Sequence, residues 1–155
     1  MEKLFLDTNP FIYFLTNEKN KADAVERILT DKNKELYTSY EVLNEIKFIL
    51  LINKAMKSLK TNKRYKLIKH IKNNKPLRKD ILTKYAHFYV NIKSRLTILG
   101  NNEATELLSN TVAINYGLLP TDASLVAHML QHNIKNIVTN DTDFEKISNI
   151  NIINL

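Results

Sequence analysis

Four acidic residues occupy positions at which a carboxylate could do chemistry. Asp7 and Asp141 each follow a predicted strand, while Glu45 and Asp122 lie in predicted helices. Ligands of open parallel sheets bind beyond the carboxyl ends of the strands, where these acids could meet. Two carboxylates about 4 Å apart repel by roughly 4 kcal/mol at an effective dielectric constant of 20, so such a cluster needs a cation. The chain has no Cys, and an all-oxygen ligand set favours Mg²⁺ or Mn²⁺ over zinc.

A divalent cation held by carboxylates suits phosphodiester hydrolysis, because it polarises a phosphoryl oxygen and stabilises the leaving oxygen. Each acid also has a purely structural interpretation. Asp7 and Asp141 could form turns, and Asp122 could stabilise the first turn of a helix. Glu41 competes with Glu45 as the acid of its helix, although the helix dipole alone explains an acid in a first turn.

A strongly basic segment spans residues 54–79, with 11 Lys and Arg residues and no acid, whereas the other 12 basic residues are outnumbered by 16 acids. A polyanion or an acidic protein is the expected partner, and a solvated helix face is the alternative. The lysines recur about every third residue and so drift by about 60° per step around a helix, which fits a broken arm as well as a docking face. The candidate residues for binding such a partner, RNA if it is a nucleic acid processed by the site above, are Lys57, Lys60, Lys63, Arg64 and Lys66.

Strand and helix patterns alternate at both ends of the chain, which predicts an α/β fold: a three-layer α/β/α sandwich around a central parallel sheet. We expect one domain over residues 1–155, with the basic segment as a helical insertion. Ser39 and Thr121 are predicted N-caps, and Gly117 is a predicted left-handed C-cap. Predicted strands cover residues 4–6, 36–38, 136–139 and 150–153, and predicted helices cover 9–15, 22–29, 40–56, 76–99, 102–116 and 122–132.

The composition excludes several functional classes. Without Cys there are no disulfides or thiolate metal sites, and with only two Gly there is no glycine-rich phosphate loop. No apolar run is long enough to span a bilayer, so we expect a soluble, cytoplasmic protein with no membrane partner. His128 and His132 have a spacing that could bind zinc, but Met129 stands where a zinc protease has Glu.

Four segments resemble, in order, the acidic motifs of the PIN-domain ribonucleases, most closely the VapC-type toxins of toxin–antitoxin pairs. Together they cover nearly the whole chain. The first segment is LFLDTN, which ends at Asn9, and the second is VLNEI, which contains Glu45. The third is TDASLVA, which begins at Thr121, and the fourth is IVTNDTDF, which contains Asp141.

This resemblance implies an endoribonuclease in which Asp7, Glu45, Asp122 and Asp141 are both the catalytic residues and the ligands of one or two Mg²⁺ or Mn²⁺ ions. A cognate antitoxin and a homodimer are also implied. Two alternatives remain open: a PIN nuclease that processes RNA without an antitoxin, and a non-catalytic RNA-binding protein with structural acids.

Three further residues match polar positions around the site of such enzymes. By the same resemblance, Asn9 and Thr139 support the site through hydrogen bonds. Asp143 is the more ambiguous acid of the last motif, and we expect it behind the metal ligands rather than among them.

Overall fold

The computed structural model describes all 155 residues, which form seven α-helices and one five-stranded sheet. None of the helices combines the length and the apolar character that a bilayer-spanning helix requires. The strands are β1 (Glu2–Leu6), β2 (Lys34–Ser39), β3 (Leu96–Leu99), β4 (Asn136–Val138) and β5 (Asn151–Ile153). The helices are α1 (Thr8–Leu15), α2 (Lys21–Thr30), α3 (Tyr40–Leu59), α4 (Arg64–Asn73), α5 (Lys75–Ile92), α6 (Glu103–Tyr116) and α7 (Pro120–Gln131).

All five strands are parallel and run in the order β3-β2-β1-β4-β5, which places β1 at the centre. Leu4 lies beside Leu36 of β2, and Leu6 lies beside Val138 of β4. The apolar run of β1, including Phe5, is at most 1% exposed. A central parallel strand is covered on both faces, which explains why its apolar residues are consecutive rather than alternating.

Helices cover both faces of the sheet. Parallel crossovers are right-handed, and the chain moves from β1 through β2 to β3 in one direction and then returns to β4. Helices α1, α2, α3 and α5 therefore cover one face, while α6 and α7, which pack closely together, cover the other. The predicted three-layer α/β/α sandwich with a central parallel sheet is confirmed.

The helix ends follow local chemistry. The Ser39 hydroxyl accepts a hydrogen bond from the Val42 amide at 3.4 Å and caps α3 as predicted. Gly117 has φ of 63° and ends α6 in the left-handed region, also as predicted. Thr121 was wrongly predicted as the N-cap of α7, since the helix already begins at Pro120, whose fixed φ suits a first helical position.

The predicted helix over residues 76–99 is wrong at its end. Helix α5 stops at Ile92, a short 3-10 helix covers Lys93–Arg95, and β3 follows. Leu96 stands four residues after Ile92, a spacing that also suits a helix. In the sheet it pairs with Leu36 and is 8% exposed, so burial against β2 outweighs the local pattern.

The basic segment forms the end of α3, a loop, α4 and the start of α5, so it is a helical insertion, as predicted, with two breaks. The first break follows Lys60, which ends α3 at φ of 50°. The segment has an apolar cluster of its own, separate from the main core. We call α4 with the adjoining end of α3 and start of α5 the basic arm. The buried members of its cluster are Ala55, Leu67, Ile71 and Leu77.

Candidate active site

Asp7 directly follows β1 and has both carboxylate oxygens occupied by protein donors. Its Oδ1 accepts the Thr8 amide hydrogen at 2.6 Å, which caps α1, and its Oδ2 accepts the Thr139 hydroxyl hydrogen at 2.7 Å. The residue is only 7% exposed. Burial raises the pKa of the Asp7 carboxyl, and the hydrogen bonds from Thr139 and Thr8 offset part of that rise.

Thr139 connects two acids of different motifs. It follows β4 and is fully buried. Because its hydroxyl hydrogen points to Asp7, a lone pair of its Oγ1 is free to accept the Asp141 amide hydrogen at 3.0 Å. Asp141 Oδ1 in turn accepts the Asp143 amide hydrogen at 2.8 Å. The turn after β4 is thus held against the end of β1 by one buried hydroxyl.

Glu45 reaches the site from α3, where its Oε2 accepts the Thr8 hydroxyl hydrogen at 2.6 Å. Glu45 is exposed, whereas Val42 and Ile46, on the apolar stripe of the same helix, are fully buried. Glu45 lies about 60° around the helix from Val42. That offset places it at the edge of the stripe, where it meets the start of α1.

Asp122 stands in the first turn of α7 and is half-buried. Its pKa is raised to about 6, first by burial and then by four nearby carboxylates. In decreasing order of effect these belong to Asp141, Asp7, Glu45 and Asp143. Four separate segments of the chain therefore bring their acids to one edge of the sheet.

The acids fit a hard divalent cation in their chemistry, since every side-chain donor is a carboxylate oxygen. A positive charge would also relieve the mutual repulsion that raises the pKa of Asp122. As placed, however, no three acidic or histidine side chains lie together closely enough to hold a metal ion. Asp7 and Glu45 also accept hydrogens from Thr8 and Thr139.

The remaining predicted residues lie around this cluster. Asn9 is half-buried and its side chain makes no hydrogen bond, so its supporting role stays a prediction. Asp143 is exposed, with its Oδ1 3.9 Å from Lys146 Nζ. The predicted RNA-binding side chains are all exposed on the basic arm; they are Lys57, Lys60, Lys63, Arg64 and Lys66.

Sequence reasoning missed two features near the site. Thr8 was not singled out, although a hydroxyl next to the strand-end acid was a signal that it could bind a second carboxylate. The other feature is a buried contact between Glu41 and His128, with 3.7 Å between Oε2 and Nε2.

Comparisons with known proteins agree with this architecture. The PIN domain model matches residues 4–150. Ribonuclease VapC2 of Methanocaldococcus jannaschii is 28% identical over 156 residues, covering 99% of this chain and 94% of the relative. A toxin–antitoxin complex from Klebsiella pneumoniae superposes with a TM-score of 0.63 at 14% identity, covering 96% of this chain and 95% of that one. DNA-bound VapBC from Salmonella typhimurium gives 0.62 at 23% identity, with 99% and 98% covered.

Proposed function

The chain belongs to the PIN domain family, and from that premise we propose that it is a metal-dependent endoribonuclease that hydrolyses RNA phosphodiester bonds. The observation that carries the proposal is the convergence of four carboxylates at the carboxyl edge of the sheet. The name of the Methanocaldococcus relative, a ribonuclease, supports the same activity. The proposed catalytic residues are Asp7, Glu45, Asp122 and Asp141.

The same four acids are the proposed ligands of Mg²⁺ or Mn²⁺. A bound ion would polarise a phosphoryl oxygen and stabilise the leaving oxygen. Thr8 and Thr139 orient Glu45 and Asp7 through the hydrogen bonds described above. Asp122 receives no hydrogen bond from the protein, so it can orient a water molecule. The water oxygen forms the new bond to phosphorus, one ester bond breaks, and a proton passes to the leaving oxygen.

The proposal extends to location and partners. RNA binds along the basic arm, whose exposed lysines and Arg64 suit a phosphate backbone. A cognate antitoxin is the second proposed partner, supported by the likeness of the fold to the Klebsiella toxin–antitoxin complex. We further propose a homodimer, a single domain over residues 1–155 and a cytoplasmic location, where RNA substrates occur.

Cleavage of end-labelled RNA by the purified protein tests the activity. With Mn²⁺ present we expect wild-type protein to cut the RNA internally, and chelation or Asp7→Asn to abolish cutting. Asp7→Asn keeps a side-chain oxygen for the cap and removes the charge. Asp23→Asn on the exposed face of α2 is the matched control and should leave cleavage unchanged. RNA binding without cleavage in any divalent ion would support the non-catalytic alternative and refute the nuclease.

Expression in a growing bacterial host tests the toxin role. We expect wild-type chain to arrest growth, Asp7→Asn to be harmless, and co-expression of a small protein encoded beside this chain to restore growth by binding it. If the active nuclease leaves growth unaffected and no neighbouring product binds it, the enzyme is an RNA-processing nuclease rather than a toxin.

A further inference from the structure

Two of the proposed catalytic acids come from helices on opposite faces of the sheet. Glu45 lies on α3, which covers the face shared with α1 and α5, whereas Asp122 lies on α7, which packs with α6 on the other face. Their separation therefore depends on how two different layers are held relative to each other. A displacement of about 1 Å at a catalytic group can lower a rate by roughly 100-fold, so some contact between these layers should matter for catalysis.

A buried polar contact joins the same two helices. Glu41 of α3 and His128 of α7 approach to 3.7 Å between Oε2 and Nε2. His128 is 1% exposed, and neither of these two atoms has a hydrogen-bond partner anywhere in the protein. Burying two polar atoms without partners is costly, and a hydrophobic pair of similar volume would avoid that cost. Stability alone therefore does not account for these two residue types at this position.

The contact between Glu41 and His128 depends on which imidazole nitrogen carries the hydrogen. Burial lowers the pKa of His128 and so favours the neutral imidazole, while the neighbouring Glu41 opposes part of that shift. A neutral imidazole faces a carboxylate favourably only when the hydrogen is on the nitrogen nearer to it, here Nε2. Glu41 lies in the first turn of α3, where the helix dipole favours a negative charge. The carboxylate of Glu41 on α3 thus faces the imidazole dipole of His128 on α7.

The contact also lies close to both acids along the chain. Glu41 is one helical turn before Glu45, and residues four apart lie on the same side of a helix. His128 belongs to the helix that begins with Asp122, and its burial leaves little freedom for that helix to rotate or slide.

We infer that Glu41 and His128 are positioning residues, which hold α3 against α7 across the sheet edge and thereby set the separation of Glu45 from Asp122. The inference rests on the proposed function for the role of those two acids. Glu41 and His128 themselves touch neither substrate nor metal, and they act only through the placement of the helices.

The test compares the wild type with a double variant, Glu41→Leu with His128→Leu, which removes both unpartnered atoms and keeps the volume apolar. We expect it to fold with an unfolding free energy at least equal to that of the wild type. Its affinity for Mn²⁺, measured from the free-ion electron paramagnetic resonance signal, should fall about tenfold, as for other residues that orient metal ligands indirectly. RNA cleavage should fall in parallel.

Two single variants and a control complete the design. Glu41→Gln keeps the length of the side chain and an oxygen for His128, so it should retain Mn²⁺ affinity. The shorter Glu41→Asp should weaken Mn²⁺ affinity, and it provides a second test in case the double variant does not fold. Thr105→Val breaks the 2.7 Å hydrogen bond from Thr105 Oγ1 to Gln131 that joins α6 to α7. It should lower stability without changing Mn²⁺ affinity.

The possible outcomes separate this inference from the proposed function. Wild-type Mn²⁺ affinity and cleavage in both the folded double variant and Glu41→Asp would overturn the positioning role and leave the nuclease intact. An equal loss in Thr105→Val would also overturn it, by showing that any destabilisation has the same effect. A wild type that neither binds Mn²⁺ nor cuts RNA would refute the proposed function, and the positioning role with it.

Discussion

At the scale of single residues, Asp122 is the acid whose protonation depends most clearly on the other three. Its pKa of about 6 lies above the ordinary value of roughly 3.9. Between these two values the folded state binds more protons than the unfolded state does. Stability therefore falls as the pH rises from about 4 to 6, and it stays reduced at higher pH.

We expect Asp122→Asn to be more stable than the wild type at pH 8 and not at pH 4, because the substitution removes a carboxylate whose ionised form is disfavoured by burial and by the neighbouring carboxylates. The gain at pH 8 should be about 1 kcal/mol, after allowance for solvent screening at a half-exposed site. Urea denaturation with a chelator present measures it. Asp23→Asn, exposed on α2, should show no such difference. A gain that is the same at both pH values would rule out the ionised carboxylate of Asp122 as its source.

The positions of the acids were predictable from the residues, but their hydrogen bonds were not. Asp7 and Asp141 stand at strand ends, which the apolar runs before them mark clearly. That Glu45 would bind Thr8 depends on the packing of α3 against α1, which no local pattern encodes. The contact of Glu41 with His128 joins residues 87 positions apart, and either residue alone has an ordinary explanation in a helix.

At the scale of elements, the basic arm carries its charged side chains on helices whose apolar cluster is separate from the core of the sheet. Its small cluster around Leu67 and Ile71 is separate from the main core, so its lysines can be exchanged with little effect on the core. Because two breaks divide the basic segment among three helices, lysines spaced three residues apart do not have to wind around a single helix.

Replacing Lys60, Lys63 and Lys66 together with Gln should weaken RNA binding and flatten its dependence on salt. For a single strand, each phosphate that is no longer neutralised by a lysine lowers the slope of log affinity against log salt by about 0.7, so the slope should fall by about 2. Fluorescence anisotropy of a labelled RNA over a salt series measures this change.

A matched triple variant controls for net charge. Lys19, Lys32 and Lys93 are also exposed but lie outside the arm. Their replacement with Gln should change the salt slope by much less. Equal effects of the two triple variants would indicate that RNA responds only to the total charge, and no effect of the arm variant would leave the arm as a solvated face or a docking site for a protein.

The element that sequence reasoning missed is β3. The pattern of α5 continues through Ile92 to Leu96, so nothing in the apolar spacing marks the end of the helix. The available signal was the pair Thr97 and Ile98, whose β-branched side chains favour a strand. An edge strand of four residues depends on its neighbour for pairing, and that neighbour is distant in the sequence.

At the scale of the whole molecule, alternating strands and helices were enough to predict the parallel three-layer fold. The strand order was not predicted. It depends on the side of β1 to which each crossover connection returns the chain, and no local pattern in β1 or β4 indicates that these two strands are neighbours. The chain order of the four acids was read from the sequence, whereas their convergence depends on that strand order.

Binding of Mg²⁺ should stabilise the whole protein, because the folded state alone gathers the four acids. At 100 times the dissociation constant the expected gain is about 2.7 kcal/mol. It should be smaller at pH 5 than at pH 8, since a proton on Asp122 competes with the ion. Thermal unfolding over a Mg²⁺ series measures this, and Asp7→Asn should lose most of the gain. Equal stabilisation of wild type and Asp7→Asn would point to binding elsewhere.

The bond between Thr139 and Asp7 also has a consequence for how the protein is made. It joins residues 132 positions apart, and β1 cannot pair with β4 until the residues between the two strands have been made. During translation Asp7 is made first, Glu45 and Asp122 follow, and Asp141 is the last of the four acids to be made. The cluster therefore cannot assemble until the last motif has been made, and a prematurely terminated product lacking that motif would lack the proposed nuclease activity.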